Sequence, residues 1–263
     1  MSDPGAPHPP APLRLASYNI QKAVGLDMRR NPGRVIDAIN ALGADVVALQ
    51  EADRRFGDRA AAIPRELIAA HTDFTVADLA RSRASLGWHG NAMLVHRSLR
   101  IVEAHHIELP GLEPRGAVQV DLDTPAGPLH VLGTHLGLLR SWRRKQLARI
   151  RGHLDAHDLD RTVVMGDFNE WSTLHGLELL EAAFDVIAPG RSFHAARPVA
   201  SLDRIALGHG LTCTGAGVLS KGAAGHASDH LPVWADLVPK TAADTGRGPG
   251  DAVAPETRAN QSR

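Results

Sequence analysis

The tetrapeptide GDFN, residues 166–169, sets an acid and an amide two positions apart at the end of an apolar run. Both then project to the same side of an extended chain. Such a pair can orient a water and accept its proton, although Gly, Asp and Asn equally suit an ordinary turn. SDHLPV, residues 228–233, puts Asp229 and His230 directly before another apolar stretch. Four further polar residues share this context: Asn19 in SYNIQ, Glu51 after VVALQ, His135 in GTHLG and Asp203 in SLDRIAL. Each has a plain alternative when taken singly. Glu51 suits a solvated strand end, Asn19 a backbone hydrogen bond, His135 a core histidine, His230 a surface histidine, and Asp203 an ion pair with Arg204 or Arg197. As a set they are chemically coherent. Carboxylates and amides without cysteine ligands favour a hard divalent cation, Mg²⁺ or Mn²⁺, over structural zinc, and two histidines accompany them.

The elements that must position these groups form one unit used twice. The first copy is the strand LRLASYNI (13–20), a helix, and the apolar strand ADVVALQE. Asn31 is a good N-cap for the helix and Pro32 a good first-turn residue, while Gly43 stops it. Val35, Ile36, Ile39 and Leu42 share one face of that helix. The second copy is LHVLGTHL (129–136), a helix with Ser141 as its cap and Leu147, Ile150 and Leu154 on one face, and RTVVMGDFN. The ends of adjacent strands in an α/β arrangement open into a common crevice, so Asn19, Glu51, His135 and Asp167 are expected to converge. Other strands are expected at 91–97, 101–109, 117–122, 202–207 and 231–237. Strands outnumber helices and several read as hairpins, which predicts an α+β chain with two packed sheets flanked by helices.

Composition sets the outer bounds. The 263 residues carry 29 basic and 29 acidic groups, which excludes a strongly basic nucleic-acid coat protein and an acidic disordered chain. The single cysteine, Cys213, rules out an intrachain disulfide and points weakly to a reducing compartment. The N-terminal stretch does not read as a signal peptide, and no apolar run approaches the roughly 20 residues of a membrane helix. A soluble cytoplasmic protein without an integral membrane segment is the expectation, and no protein partner is evident. The ends, 1–12 and 240–263, lack large apolar side chains and are expected to be disordered, leaving one domain over 13–239.

The segments SYNIQ, VVALQE, GNAMLVHR, PRGAVQV, GTHL, GDFNEW, LDRIAL and SDHLPV resemble, in order and spacing, the deoxyribonuclease I-like endonuclease/exonuclease/phosphatase superfamily. The resemblance spans about residues 13–237 and implies a four-layered αββα sandwich. It implies that Asn19 and Glu51 ligate a metal with Asp229 near them, that Asp167 activates the attacking water, and that Asn169 is its partner. It further implies that His230, supported by Asp203, contacts the phosphate, that His135 is a second active histidine, and that Asn91 and Arg115 line the cleft. Gln21 stands where DNA-repair members often carry an acid, and their tryptophan-rich N-terminal signature is absent. The abasic-site endonuclease branch therefore loses support.

The reaction so implied is hydrolysis of a phosphodiester, with Asp167 as base, His230 as a fixed charge on the phosphoryl oxygens, and His135 as leaving-group acid or a further stabiliser. The leading expectation is a nuclease acting on a nucleic acid; the alternative is a phosphodiesterase or phosphatase acting on a phospholipid headgroup or a small phosphoester, and the second alternative is a non-catalytic binding module. RSWRRKQLARIR (140–151) carries six basic residues and no acid, beginning with Arg140 near the expected cleft. It suits a polyanion track or an anionic lipid surface, or else a solvated helix face. Trp142 and Trp171 are the candidates for stacking, and Trp88 and His89 for the rim.

Overall fold

The computed structural model of the protein describes residues 11–54, 57–154, 158–172 and 175–240. The ends expected to be disordered lie outside these residues, apart from Ala11, Pro12 and Lys240. In chain order the elements are β1 (Leu13–Asn19), α1 (Pro32–Leu42), β2 (Val46–Gln50), α2 (Arg65–His71), β3 (Phe74–Val76), β4 (Ala92–His96), β5 (Arg100–Leu109), β6 (Arg115–Thr124), β7 (Gly127–His135), α3 (Arg140–Leu154), β8 (Thr162–Asp167), α4 (Glu178–Glu181), β9 (Phe184–Ile187), β10 (Asp203–Gly208), β11 (Leu211–Val218) and β12 (Val233–Pro239).

The strands form two six-stranded sheets, ordered β11-β12-β1-β2-β4-β3 and β5-β6-β7-β8-β10-β9. Alternation along each strand divides the side chains between layers. In β1, Ala16 and Tyr18 pack with Val35, Ile36, Ile39 and Leu42 of α1 and with Ile68 of α2. Leu15 instead joins Val46, Met93, Val131, Val163, Met165, Ile205 and Val233 in the core between the sheets. On the far side, Leu132, Val164 and Ala206 meet Leu147, Ile150 and Leu154 of α3 and Leu180 of α4. The result is helix, sheet, sheet, helix: an α+β sandwich of four layers.

Local signals act where the sequence places them. The Asn31 side chain accepts from Arg34 N, Pro32 opens α1, and Gly43 ends it at φ 55°, a conformation that costs glycine little. The second unit differs in one detail: α3 begins at Arg140, so Ser141 lies inside its first turn instead of preceding the helix. Strands β3, β9 and β11 and helices α2 and α4 were not signalled by clear periodicity. All but β11 are short, and β3 and β9 are edge strands.

Candidate active site

The parity that builds the inter-sheet core also builds the site. Asn19 continues the inward-facing series of β1, His135 that of β7, Asp167 that of β8 and Asp203 that of β10. In the second sheet His135 and Asp203 are the register partners of Asp167 on its two sides. Asn19 reaches across from the first sheet and donates from Nδ2 to Asp167 Oδ2 at 3.0 Å. His230, in the turn before β12, completes the group. All five side chains are buried, with relative exposures of 0–5%. The polar cluster therefore occupies the end of an otherwise apolar layer, where the strands stop.

Asp167 is the centre. Its Oδ2 lies 3.4 Å from His135 Nε2 and 3.7 Å from His230 Nε2, and its Oδ1 accepts from Asn169 N at 2.9 Å. The Asn169 amide itself donates to Leu136 O at 2.9 Å. Asn169 thus holds Asp167 through the main chain, not through the side-chain pairing that the spacing suggested. Gly166, just before Asp167, lets β8 lie against β7 here: a Cβ there would sit 1.9 Å from Thr134 O. His230 Nδ1 lies 2.9 Å from Asp203 Oδ2, which also accepts from Ser192 Oγ at 2.5 Å. Asp203 consequently serves His230 and Ser192, and the alternative of a surface ion pair with Arg197 or Arg204 is not what forms.

Burial and charge separate the protonation behaviour of the three titrating groups. Burial raises Asp167, the neighbouring Asp203 charge raises it further, and His230 and the Asn19 hydrogen bond only partly oppose them, leaving it at about 6. Burial pulls His230 down, but the charge and hydrogen bond of Asp203, with Asp167 and Asp229, overcome it and bring it to about 10. Burial, aided by Arg115, His230 and Lys22, holds His135 well below 6.5. At neutral pH the cluster therefore holds a cationic His230, a neutral His135 and a largely ionised Asp167. A neutral His135 offers one N–H as a hydrogen-bond donor and carries no acidic proton for a leaving group.

An open cleft lies over His135, lined by Lys22, Glu51, Arg54, Arg59, His89 and Arg115 among others. Glu51 stands just past β2 at φ 51°, its carboxylate in a short ion pair with Lys22 Nζ. Asn19 Oδ1 accepts from Gln21 N at 3.1 Å. The family to which these motifs point uses a divalent cation, and the donors fit one. Asn19, Glu51 and the half-buried Asp229 offer hard oxygens, and Glu51 already accommodates a cation in the form of the Lys22 ammonium. Of the three residues expected to bind substrate, Arg115 lines the cleft and donates from Nη2 to Glu113 Oε2 at 3.0 Å. Asn91 is buried and donates to Gly116 O at 2.9 Å, tying the Trp88 loop to β6. Arg140 is not brought to the cleft: it faces Glu178 at 3.8 Å and lines a separate depression with Arg144 and Leu179.

The basic run of α3 is not a uniform track either. Arg143 is buried, donates to Glu170 Oε2 at 2.7 Å and to Leu138 O at 2.5 Å, and so ties the loop after His135 to the loop after Asp167. No local pattern signals this pair, nor Lys22, Arg59 or Ser192, whose partners lie 11 to 30 residues away. His89 lines the rim as expected, with Nδ1 at 2.9 Å from Arg59 Nη1. Trp171 is exposed and meets Phe193 edge-on, and the Phe193 ring lies 4.9 Å from His230.

Comparison with known proteins agrees with this geometry. The model of the Endonuclease/Exonuclease/phosphatase family matches residues 16–230. The chain belongs to that family. Its members hydrolyse phosphoester bonds, typically with divalent metals. YbhP of Escherichia coli K12 is 28% identical over 219 residues, which cover 76% of this chain and 86% of YbhP. An endonuclease/exonuclease/phosphatase structure from Beutenbergia cavernae shares the fold with a TM-score of 0.66 at 23% identity, over 88% of this chain and 72% of that one. The catalytic domain of human Nocturnin, solved with a bound sulfate anion, does so with a TM-score of 0.67 at 19% identity, over 88% and 94%. Among the described residues no helix is long and apolar enough to cross a membrane.

Proposed function

We propose that the protein is a divalent-metal-dependent phosphodiesterase in which Asp167 activates the attacking water. The observation that carries this reading is the cluster around Asp167. A carboxylate brought to about pKa 6 lies against one fixed cation and one neutral imidazole, and that imidazole, His135, lines the open cleft. A base with a pKa near the working pH combines ionisation with proton affinity. Asn19 N–H and Asn169 N–H fix the carboxylate beside the two imidazoles. His230, held cationic by Asp203, stabilises charge on the phosphoryl oxygens, and neutral His135 donates a hydrogen bond there. Asn19 and Glu51, with Asp229 beside them, would hold Mg²⁺ or Mn²⁺, which when bound draws charge from the phosphoryl and leaving oxygens. Turnover of bis(p-nitrophenyl) phosphate with Mg²⁺ tests the reading. Asp167→Asn should abolish it in a folded protein, and wild-type levels in that variant refute the assignment. The same assay separates an enzyme from a non-catalytic binding module.

A second observation bears on which phosphodiester is cleaved. Leu112, Leu138, Leu139 and Trp142 line an apolar hollow that shares Glu113 and Arg115 with the cleft. Leu112, Leu138 and Leu139 are 80%, 65% and 58% exposed. Lys145 Nζ lies 4.5 Å over the Trp142 ring, and Arg115 stands where the hollow meets the cleft. An apolar hollow with a cationic rim beside a phosphate site suits an amphiphilic phosphodiester better than a nucleic-acid strand. Parallel assays on plasmid DNA, RNA and a phospholipid should favour the lipid. Leu138→Glu should lower lipid turnover while leaving bis(p-nitrophenyl) phosphate turnover intact; equal loss on both substrates argues against the hollow as a subsite.

A further inference from the structure

The outer face of the second sheet changes character where α3 ends. Under the helix this face is apolar, with Ile107, Ala117 and Leu132 packed against Leu147, Ile150 and Leu154. Beyond it, the same face of the same three strands carries Glu103 and His105 on β5, Gln119 and Asp121 on β6, and His130 on β7. Glu103 and Asp121 are register partners, as are His105 and Gln119, and Asp121 and His130. The five side chains therefore stand side by side on one surface. It is the surface opposite to the one from which His135 and Asp167 project, so the group is separate from the site described above.

The distances within the group are those of a coordination shell. His105 Nε2 lies 3.1 Å from Asp121 Oδ2 and 3.3 Å from Glu103 Oε2, and one ligand atom from each of the three residues falls within 4.8 Å of the others. Tetrahedral bonds of about 2.0–2.1 Å to nitrogen and oxygen give ligand–ligand edges of about 3.3 Å. A second set of contacts steadies the central carboxylate. Asp121 Oδ1 accepts from Gln119 Nε2 at 2.7 Å and lies 2.7 Å from His130 Nδ1, and Gln119 Oε1 is in turn 3.1 Å from His153 Nε2 at the end of α3. Outer partners of this kind orient ligating carboxylates and hold metal affinity up. The site is open to solvent, since the Glu103 and His105 side chains are 65% and 34% exposed.

We propose that Glu103, His105 and Asp121 bind a zinc ion, with Gln119 and His130 orienting Asp121 and water in the fourth position. An imidazole with two carboxylates suits a borderline cation better than Mg²⁺, which prefers six oxygens in near-ideal octahedral geometry. Metal replaces the proton that His105 Nε2 shares with the carboxylates, and that proton leaves to solvent or to Nδ1. The ion would cross-link β5 to β6 and lock their register beside the bulge between Ile101 and Glu103.

Calorimetric titration of the full chain with Zn²⁺ in excess Mg²⁺ tests this. Wild type and Glu51→Gln should each take up one equivalent that His105→Ala lacks. Gln119→Leu should weaken that equivalent by about 10–100-fold. Zinc should raise the thermal midpoint of wild type and not of His105→Ala, as binding to the folded state requires. His105→Ala should keep its Mg²⁺-dependent phosphoesterase turnover, which also shows that it folds. The proposal is overturned if wild type and His105→Ala bind zinc alike, if neither binds it, or if Glu51→Gln is the variant that loses it.

Discussion

Asp203→Asn is the most informative single change. Asp203 is wholly buried, touches neither the cleft nor the water that Asp167 would activate, and holds His230 at 2.9 Å through one oxygen. Its charge is the largest influence raising His230 toward about 10. Without that charge only Asp167 and Asp229 still oppose burial, and His230 falls from about 10 toward the ordinary histidine value. At about pH 8 wild-type His230 is about 99% protonated, whereas a histidine of pKa 6.5 is about 3% protonated. If the phosphoryl charge is met by cationic His230, kcat/KM on bis(p-nitrophenyl) phosphate at that pH drops, by up to about 30-fold where His230 returns to the ordinary value. The loss must shrink as the pH is lowered. Asp203 also raises Asp167, so its removal lowers the acidic limb as well, and the whole bell moves toward acid. The assay is a pH–rate profile at saturating Mg²⁺, with urea unfolding at each pH to restrict comparison to folded protein. A loss that is uniform across pH refutes the reasoning and reduces Asp203 to a packing role.

Three further outcomes follow from the same contacts. Asp167→Asn, which keeps the shape and the Asn19 contact region, should cost about 10²–10⁴ in turnover with little change in urea midpoint; a matching loss of stability would indicate a structural carboxylate instead. Folded His230 has a pKa above that of an unfolded histidine, so its contribution to stability is complete below about pH 6.5 and disappears as the pH rises through about 10. Wild type should therefore lose urea stability between about pH 6.5 and 10, and His230→Gln should lose visibly less over that range. Arg143→Ala strands Glu170, itself 5% exposed, and should destabilise the fold by about 3–5 kcal/mol. The double variant Arg143→Met with Glu170→Leu should recover much of this in thermal unfolding, and failure to recover assigns the cost to lost packing.

How much of this was legible before the coordinates depended on the range of the interaction. The helix α1 was legible because its determinants are local: Asn31, Pro32 and Gly43 act within one turn of the residues they stop or start. The convergence of Asn19, His135 and Asp167 was also legible, since each continues an alternating apolar series and must emerge at the strand end on the core side; Glu51, expected with them, stands past β2 in the cleft beside Lys22, and Asp203, read only as an ion-pair candidate or a support for His230, joins the cluster instead. Parity along a strand is information that a sequence carries. Roles that depend on which atom faces which neighbour were not. Asn169 was legible as a partner of Asp167, but its use of the main-chain N–H follows from a turn at φ 50°, and the amide is spent on Leu136 O. Arg143 sat in a run of like charges and read as one more surface base. It is buried because Glu170, 27 residues further on, is turned toward it. Arg140 is the opposite case: its neighbours in the sequence placed it near the site, while at the start of α3 its side chain faces Glu178 instead. The pattern has a physical source. Burial periodicity is set by backbone geometry that every residue of an element shares, whereas a long side chain chooses its partner among groups brought near by packing from elsewhere in the chain. Substitutions that preserve parity should therefore leave the Asp167 cluster assembled, and those that exchange one long polar side chain for another are where this protein would change what it binds.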